Sequence, residues 1–520
     1  MRQHAHPCLT LLRTACAWLA LAWLNAPTHA QEPQPSAAST QQRSIFEYVQ
    51  PRGPNYQRAA LEVVGVLGLG FTEYVINHDL NSRDWDFEYT WSGLRDKLSP
   101  RGYSFDTNGF DTNFTRHPAA GAMYYWVARG NRLSVLESLA AAAVASTFWE
   151  YIGELRERAS LNDIWVTPLS GMILGELTVQ LGAFFDRSCD TVPNRVLGTV
   201  LGTVKTVHDA LDSAQPLRDT RCDRYGLSRR GAHAFELAIS SGALSTVAGP
   251  RVPVRIESRF ELHTYSVALD TYGAPGTGTH HFSDGNITEL VLRSSFAGER
   301  WNDFTLRATM LPFGMHTRSI TPGPYGHEWV FALLTAMEYG VHRFGQWRSD
   351  TQLRDRYFEL DVPGVSLAYR VLHGQTRLAF ELQAGAAFVA VDALALPEYG
   401  ALSGARPLPA VTRTDGYNYG VGVRLTPRVS VTHRGLALGF ELSAMRARAI
   451  TFGDRFEESI DYAGGNERRT LATGWLRIGP QHWPVRLTLH AEWLQRWGTL
   501  DAARARRAEL STRAGIAAVF

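Results

Sequence analysis

Lysine is almost missing from this chain. Only Lys97 and Lys205 occur, so arginine supplies nearly all of the 52 basic residues, which stand against 50 acidic ones for a formal net charge of +2. A charge so close to balance gives no electrostatic ground for a nucleic-acid partner. Cysteine is scarce as well, at four residues, and only Cys189 and Cys222 lie beyond the first thirty positions. In an oxidising compartment these two are able to close a loop of about thirty residues, a stabilisation of roughly 3 kcal/mol, the alternative being two separate buried thiols. Familiar chemical motifs are absent too: there is no paired-histidine metal helix, no nucleophile elbow and no Gly-rich phosphate loop. No metal or cofactor is therefore assigned.

What is present fits a folded chain. Charged residues make up 20% and hydrophobic ones 45% of 520 residues, which excludes wholesale disorder and suffices for two or three domains. Residues 1–30 read as a secretory signal: Arg2 and Arg13 bracket the approach to an apolar run at 15–24, and Thr28 and Ala30 are small where a signal peptidase inspects. Cys16 does not follow that run, which argues against lipid attachment. The mature chain is expected to begin at Gln31, with a Gln, Pro and Ser-rich linker over 31–55.

Helical patterning begins at Tyr56 and includes an apolar segment at 59–76. The stretch 81–114 is polar and aromatic. Pro118 then opens a helix to Arg129, and Ser134 with Glu137 forms a capping box for a second that reaches Arg156. Thr167 before Pro168 signals a third, ending near Phe185, and Pro193 a fourth that fades near Leu211. Gly171 with Gly175 and Gly198 with Gly202 allow close helix contact. The third helix is marginal for crossing a bilayer, at eighteen residues with Glu176 near its middle. The region 56–235 is accordingly read as a periplasmic helical bundle seated against the mouth of a barrel, with a membrane-embedded bundle as the alternative.

After Arg251 the period becomes two. In 417–425 the residues Tyr417, Tyr419, Val421, Val423 and Leu425 alternate with Asn418, Gly420, Gly422 and Arg424. Such runs reach ten to sixteen residues, the length a tilted membrane strand needs. Tight connections at 373–375, 433–435 and 480–484 interleave with long ones at 392–416, 451–469 and 498–505. Eleven strands are visible, but a barrel with both ends on one side needs an even number. Either a twelfth hides at 235–249, which is preferred, or the weakly alternating run 328–344 is outside the wall and ten remain. The fold class is α+β: an N-terminal helical bundle, then an antiparallel transmembrane β-barrel over 236–520.

Two resemblances sharpen this reading. The last strand, 507–520, closes on Phe520 and resembles the assembly signal of bacterial outer-membrane β-barrels, which implies outer-membrane lipid and the barrel-assembly machinery as partners. The sequences His117-Pro118-Ala119-Ala120-Gly121, Phe148-Trp149-Glu150-Tyr151, Ser160-Leu161-Asn162-Asp163 and Thr167-Pro168 resemble a bacterial family known as domain of unknown function 3943, over roughly 105–187. That resemblance implies an envelope protein and no activity.

Two sets of residues are candidates for chemistry. Glu150 and Glu154 lie one helical turn apart, and with His117, Asp163 and Glu176 they are candidates for a polar cluster, an acid/base or binding site if they converge and a set of helix caps and ion pairs if they do not. Inward positions of the strands hold Arg255, Glu257, Arg259, Glu261, Arg377, Glu381, Arg424, Arg486, Glu492 and Arg513, the candidate lumen. Mixed charges in a narrow barrel pair across it and fill it, or leave a path for small polar solutes. Tyr417, Tyr419, Trp493 and Trp497 point outward and suit an interfacial girdle. Three function classes follow: a structural or envelope-maintenance role without chemistry, a narrow pore, or an envelope enzyme acting on lipid or cell-wall material through the helical cluster.

Overall fold

The computed structural model describes residues 45–77, 87–88, 90–99, 102–105, 108–154, 156–249, 253–297, 300–344, 354–403, 417–450, 465–480 and 483–520. The expected export signal and most of the expected linker lie outside these residues. Helices come first: α1 is Tyr56–Asn77 and α2 Trp91–Lys97. A π-helical turn at Thr112–Arg116 runs into α3, His117–Gly130. α4, Val135–Phe148, starts on the capping box, in which Glu137 N–H donates to Ser134 Oγ and Ser134 N–H donates to the Glu137 carboxylate. It runs on into a π turn at Trp149–Gly153.

α5, Leu161–Arg187, begins earlier than Thr167 and Pro168 suggest. Its cap is Ser160, whose Oγ accepts from Asp163 N–H at 3.1 Å, and Pro168 lies inside the helix. A proline there costs one backbone hydrogen bond, a loss that packing outweighs in this buried helix. The fourth expected helix is two, α6 (Val192–Leu201) and α7 (Thr203–Leu211), broken at Gly202. A disulfide joins Cys189 to Cys222 with Cα atoms 6.1 Å apart.

α3 and α5 touch backbone to backbone. A Cβ on Gly121 would fall 1.9 Å from the Thr167 carbonyl oxygen, and one on Gly171 2.2 Å from the Gly121 carbonyl carbon. Gly171→Val is therefore expected to destabilise the helical unit by about 1–3 kcal/mol through overpacking. A lower thermal midpoint in far-ultraviolet circular dichroism would register it.

From Ala232 onward the chain is mostly strand. β1 is Ala232–Ala248, β2 Arg255–Val267, β3 Gly276–Phe282, β4 Ile287–Ala297 and β5 Arg300–Leu311. β6 is Gly314–Ile320, β7 Tyr325–Arg343, β8 Arg354–His373, β9 Thr376–Asp392 and β10 Tyr417–His433. β11 is Leu436–Ala449, β12 Gly465–Ile478, β13 Val485–Leu500 and β14 Ala503–Val519. Twelve of these close an antiparallel barrel in the order β1, β2, β4, β5, β7 to β14, with β14 returning to β1 through pairs such as Ile516 and Ile239. β6 pairs with the first part of β7, and β3 with β6, as a flap on the ring.

The hidden twelfth strand is β1, and the run 328–344 is in the wall as most of β7, which removes the ten-strand alternative. β7 alternates weakly because its inward residues are apolar over 330–336, while its outward face is exposed at Phe331 and Leu333 and covered from Met337 on. Inward Val330, Ala332, Leu334 and Ala336 pack on an apolar plug, while outward Met337 packs under the helices. The tight turns after His373, His433 and Ile478 share an end with Phe520, here called the short-turn end. One long loop proves tight: β13 extends to Leu500 and β14 starts at Ala503, with Asp501 at φ 49° in the turn.

The helices do not sit at a mouth of the barrel. They lie along the outside of its wall. On β10, exposed Val421, Val423 and Leu425 alternate with buried Arg424 and Thr426, so odd positions point outward. Tyr417 and Tyr419 share that parity yet are 0% exposed. Phe110 packs edge-on to Tyr417 at 5.2 Å and Phe105 stacks on Tyr419 at 4.9 Å between ring centroids. These two tyrosines are thus covered by the helical unit and do not form a girdle. Phe114 stacks on Phe358 of β8 at 4.6 Å, and Ala308, Met310 and Met337 join the same core. At the short-turn end Phe184 and Phe185 of α5 meet Phe235 of β1. One hydrophobic core is shared between the helices and the outer barrel wall over most of its height.

Candidate functional site

Of the five polar residues expected to converge, four form a chain around the start of α5. His117 Nδ1 is hydrogen-bonded to Asp163 Oδ1, which also accepts from Asn162 Nδ2 at 3.1 Å. Ser160 N–H donates to Glu150 Oε2 at 2.7 Å. Glu154 accepts from the Trp149 indole at 2.9 Å, and the Lys97 ammonium caps the carbonyls of Glu150 and Glu154 at the end of the π turn. The Lys97 contacts are helix caps, while His117 with Asp163 and Trp149 with Glu154 are side-chain pairs.

Glu176 stands apart, thirteen residues further along α5 and so roughly 20 Å down its axis. It is 0% exposed and accepts from Arg129 Nε at 2.8 Å, the Tyr125 hydroxyl at 2.6 Å and Gln180 at 2.6 Å. Arg129 continues to Asp284 at 2.6 Å, just ahead of β4, and its guanidinium covers the Phe46 ring. This is a buried polar seam between helices and barrel. Asn113, which donates to the hydroxyls of Tyr417 and Tyr419, is a second. Among the described residues no group of three His, Cys, Asp or Glu side chains is placed to hold a metal ion.

The lumen is the larger constellation. Glu257 binds Arg513, Arg259 binds Glu492, Glu261 binds Arg293, Arg255 binds Glu509 and Glu381 binds Arg428. Arg424 faces Glu338, Glu359 and Asp361 together. Arg377 and Arg486 lie near the short-turn end outside these ion pairs. Several links run straight across. Arg428 of β10 meets Glu289 of β4 at 3.1 Å, and counting from β1 those strands are eighth and third in the ring of twelve. Arg469 of β12 meets Glu338 of β7, Arg496 of β13 meets Asp355 of β8, and His342 of β7 meets Glu509 of β14. Arg496 is 0% exposed.

Apolar layers lie toward both ends. At the short-turn end Tyr272, from the connection after β2, packs with Phe282, Ile287, Leu311 and inward Val330 and Ala332. The Arg370 guanidinium lies over its ring at 3.8 Å. Toward the other end Tyr357, Ala387, Val389, Val391, Met445 and Ala447 form a second layer. Above them the short helix α8, Leu396–Ser403, brings Leu396 and Tyr399 onto Leu500, Ala503 and Ala505.

Glu338, Glu359, Asp361 and Arg496 were not among the expected lumen residues. β8 explains two of them. Its register shifts between Asp361 and Gly364, so counting in twos from outward Val365 places Glu359 and Asp361 on the wrong face. The alternation of Tyr357, Glu359 and Asp361 with Phe358 and Leu360 was the available signal.

Residues 102–205 match the family described as a domain of unknown function, DUF3943. The match spans the second half of the helical unit's approach to α3, then α3 to the start of α7, and leaves the barrel outside it. No curated protein matches the chain. Among solved structures it is similar to the NanC porin at 10% identity, covering 54% of this chain and 98% of that one with a TM-score of 0.26. The TodX monoaromatic hydrocarbon channel is similar at 8% identity, with 56% and 90% covered and a TM-score of 0.23. For OmpT, an outer-membrane protein of Vibrio cholerae, the figures are 8%, 56%, 98% and 0.19. Similarity this distant carries no function across, and the barrel stands on its own strand register.

Proposed function

We propose that this protein is a non-conducting outer-membrane barrel with a structural, envelope-maintenance role, its wall serving as the scaffold on which the helical unit is held. The observation that carries this reading is the set of ion pairs joining strands on opposite sides of the lumen, such as Arg428 with Glu289 and Arg496 with Asp355. A solute would have to part buried charges at several levels and displace the apolar layers at both ends. Breaking one such buried pair costs about 3–5 kcal/mol, and no driving force for doing so accompanies passive diffusion. Glu150, Glu154, Asp163 and Glu176 each have hydrogen-bond donors or cations as partners, which suits a scaffold.

Planar-bilayer recording on the refolded full chain tests the proposal. Steady single-channel conductance in a neutral salt solution would sink it; a silent bilayer after confirmed insertion is expected. An envelope enzyme is the second reading, favoured by the partly exposed imidazole of His117 held by Asp163, whose side chains are 24% and 5% exposed.

A further inference from the structure

We infer that the helical unit lies within the outer-membrane bilayer, beside the barrel, with lipid acyl chains covering its outer face. The first support is the surface it occupies. Phe358, Ala308, Met310, Tyr417 and Tyr419 point outward from the wall and are buried beneath helices, while their neighbours on the same strands, Val365 and Val421, are 47% and 55% exposed and belong to the apolar belt that meets lipid. The helices therefore stand where lipid stands around the rest of the barrel.

The second support is the face they present. On α4 and the π turn that follows it the exposed residues Leu136, Ala140, Val144, Phe148 and Ile152 recur every four positions, and none is charged. On α1 every exposed residue from Ala60 to Ile76 is uncharged, with Leu61 at 73% and Ile76 at 76% exposure. Each stripe runs through sixteen residue steps, about 24 Å of helix, against an apolar band of about 25 Å on outer-membrane barrels. Patches of that size left in water mark a liability, and two parallel ones continuous with a membrane belt mark a lipid contact.

The third support is the distribution of charge. Residues 63–72, 118–128, 138–148 and 164–175, one stretch in each of α1, α3, α4 and α5, contain no charged side chain. Charges gather at two rims. Arg58, Arg132, Glu137, Lys205, Asp209 and Asp212 lie around the start of α1 and α4. At the opposite rim Tyr74 near the end of α1 donates to Glu157, and Glu150, Glu154 and Asp163 lie nearby. Trp165, 65% exposed near the start of α5, sits where an interfacial aromatic belongs. Glu176 and Arg129 lie inward of the rim that holds Arg132 and are paired with one another and with Asp284 inside the unit. This placement departs from the expectation of a periplasmic bundle.

Depth-dependent quenching tests it. Single substitutions Val144→Cys and Leu61→Cys, with Leu438→Cys on the barrel belt as reference, are labelled with a small fluorophore. The full chain is reconstituted in phosphatidylcholine vesicles carrying bromine at mid-chain, and folding is confirmed by heat-modifiable electrophoretic mobility. Quenching of both helical positions within about twofold of Leu438→Cys is expected, with slow labelling by a membrane-impermeant maleimide before solubilisation. Fast maleimide labelling without quenching would place the helices in water and overturn the inference. So would slow labelling without quenching in a particle of doubled mass, which would mean that a second copy covers the face. If one variant fails to fold, the other carries the test.

Discussion

Arg424→Ala is expected to destabilise the barrel by about 3–5 kcal/mol, because it removes one cation from among three buried carboxylates. Arg424 donates to Glu359 at 2.8 Å and to Ser443 at 2.8 Å, binds Glu338, and lies 3.9 Å from Asp361. It is 5% exposed, so water does not replace what it loses. After truncation Glu338 keeps Arg469 and Tyr357, but Glu359 and Asp361 face one another with no equivalent partner. The folded, heat-resistant band on a semi-native gel should convert at a markedly lower temperature. Arg424→Lys, which keeps the charge and loses the fork, should fall between the two. Arg486→Ala supplies the contrast: that residue is half-buried near the short-turn end, beside Arg477, and its loss should change stability by less than about 0.5 kcal/mol. Equal loss in Arg424→Ala and Arg486→Ala would mean that the lumen charges are solvated and the ion-pair account is wrong.

Glu176→Ala is expected to have a similar magnitude, about 3–5 kcal/mol, but to act on the helical unit and its attachment rather than on the barrel. Glu176 receives both arms of Arg129 together with Tyr125 and Gln180, and it is fully enclosed. Without it Arg129, itself 1% exposed, retains Asp284 and the Leu133 carbonyl as partners, and the Tyr125 hydroxyl loses its carboxylate acceptor. Unpaired buried donors each cost roughly 1–3 kcal/mol. Because Asp284 belongs to the barrel's own connections, the seam should weaken while the strand ladder persists. Limited proteolysis would then cut the helical unit while the heat-modifiable barrel survives. Glu176→Gln should recover part of the loss, since an amide still accepts from one arm of Arg129. Simultaneous loss of helices and barrel in Glu176→Ala would show that the two do not come apart, contrary to this account.

Most of the architecture was legible because the barrel's strands obey one simple constraint. Where one face meets lipid and the other a charged interior, apolar and polar residues must alternate, as in β10, β11 and β13. The legibility failed where that constraint is lifted. β7 is apolar on both faces over 330–334, where inward Val330, Ala332 and Leu334 meet a plug, and further along outward Met337 meets helices. β8 shifts register at Asp361 and reverses its parity, which hid Glu359. Eight of the ten candidate lumen residues stand in ion pairs, because inward charge in a closed barrel has few other fates.

The sequence by itself determined the alternation, its parity and the helix caps, each of which depends on residues close together along the chain. Only the tertiary structure decided what covers the outward face of each element. Tyr417 and Val421 have the same parity and the same apolar character, yet one lies beneath Phe110 and the other is open. The position of the helices along the wall, and not at its mouth, depends on contacts between residues some three hundred positions apart, such as Asn113 with Tyr417. Local pattern carries no record of that choice, because an apolar surface is the same surface whether a helix or a lipid chain will cover it.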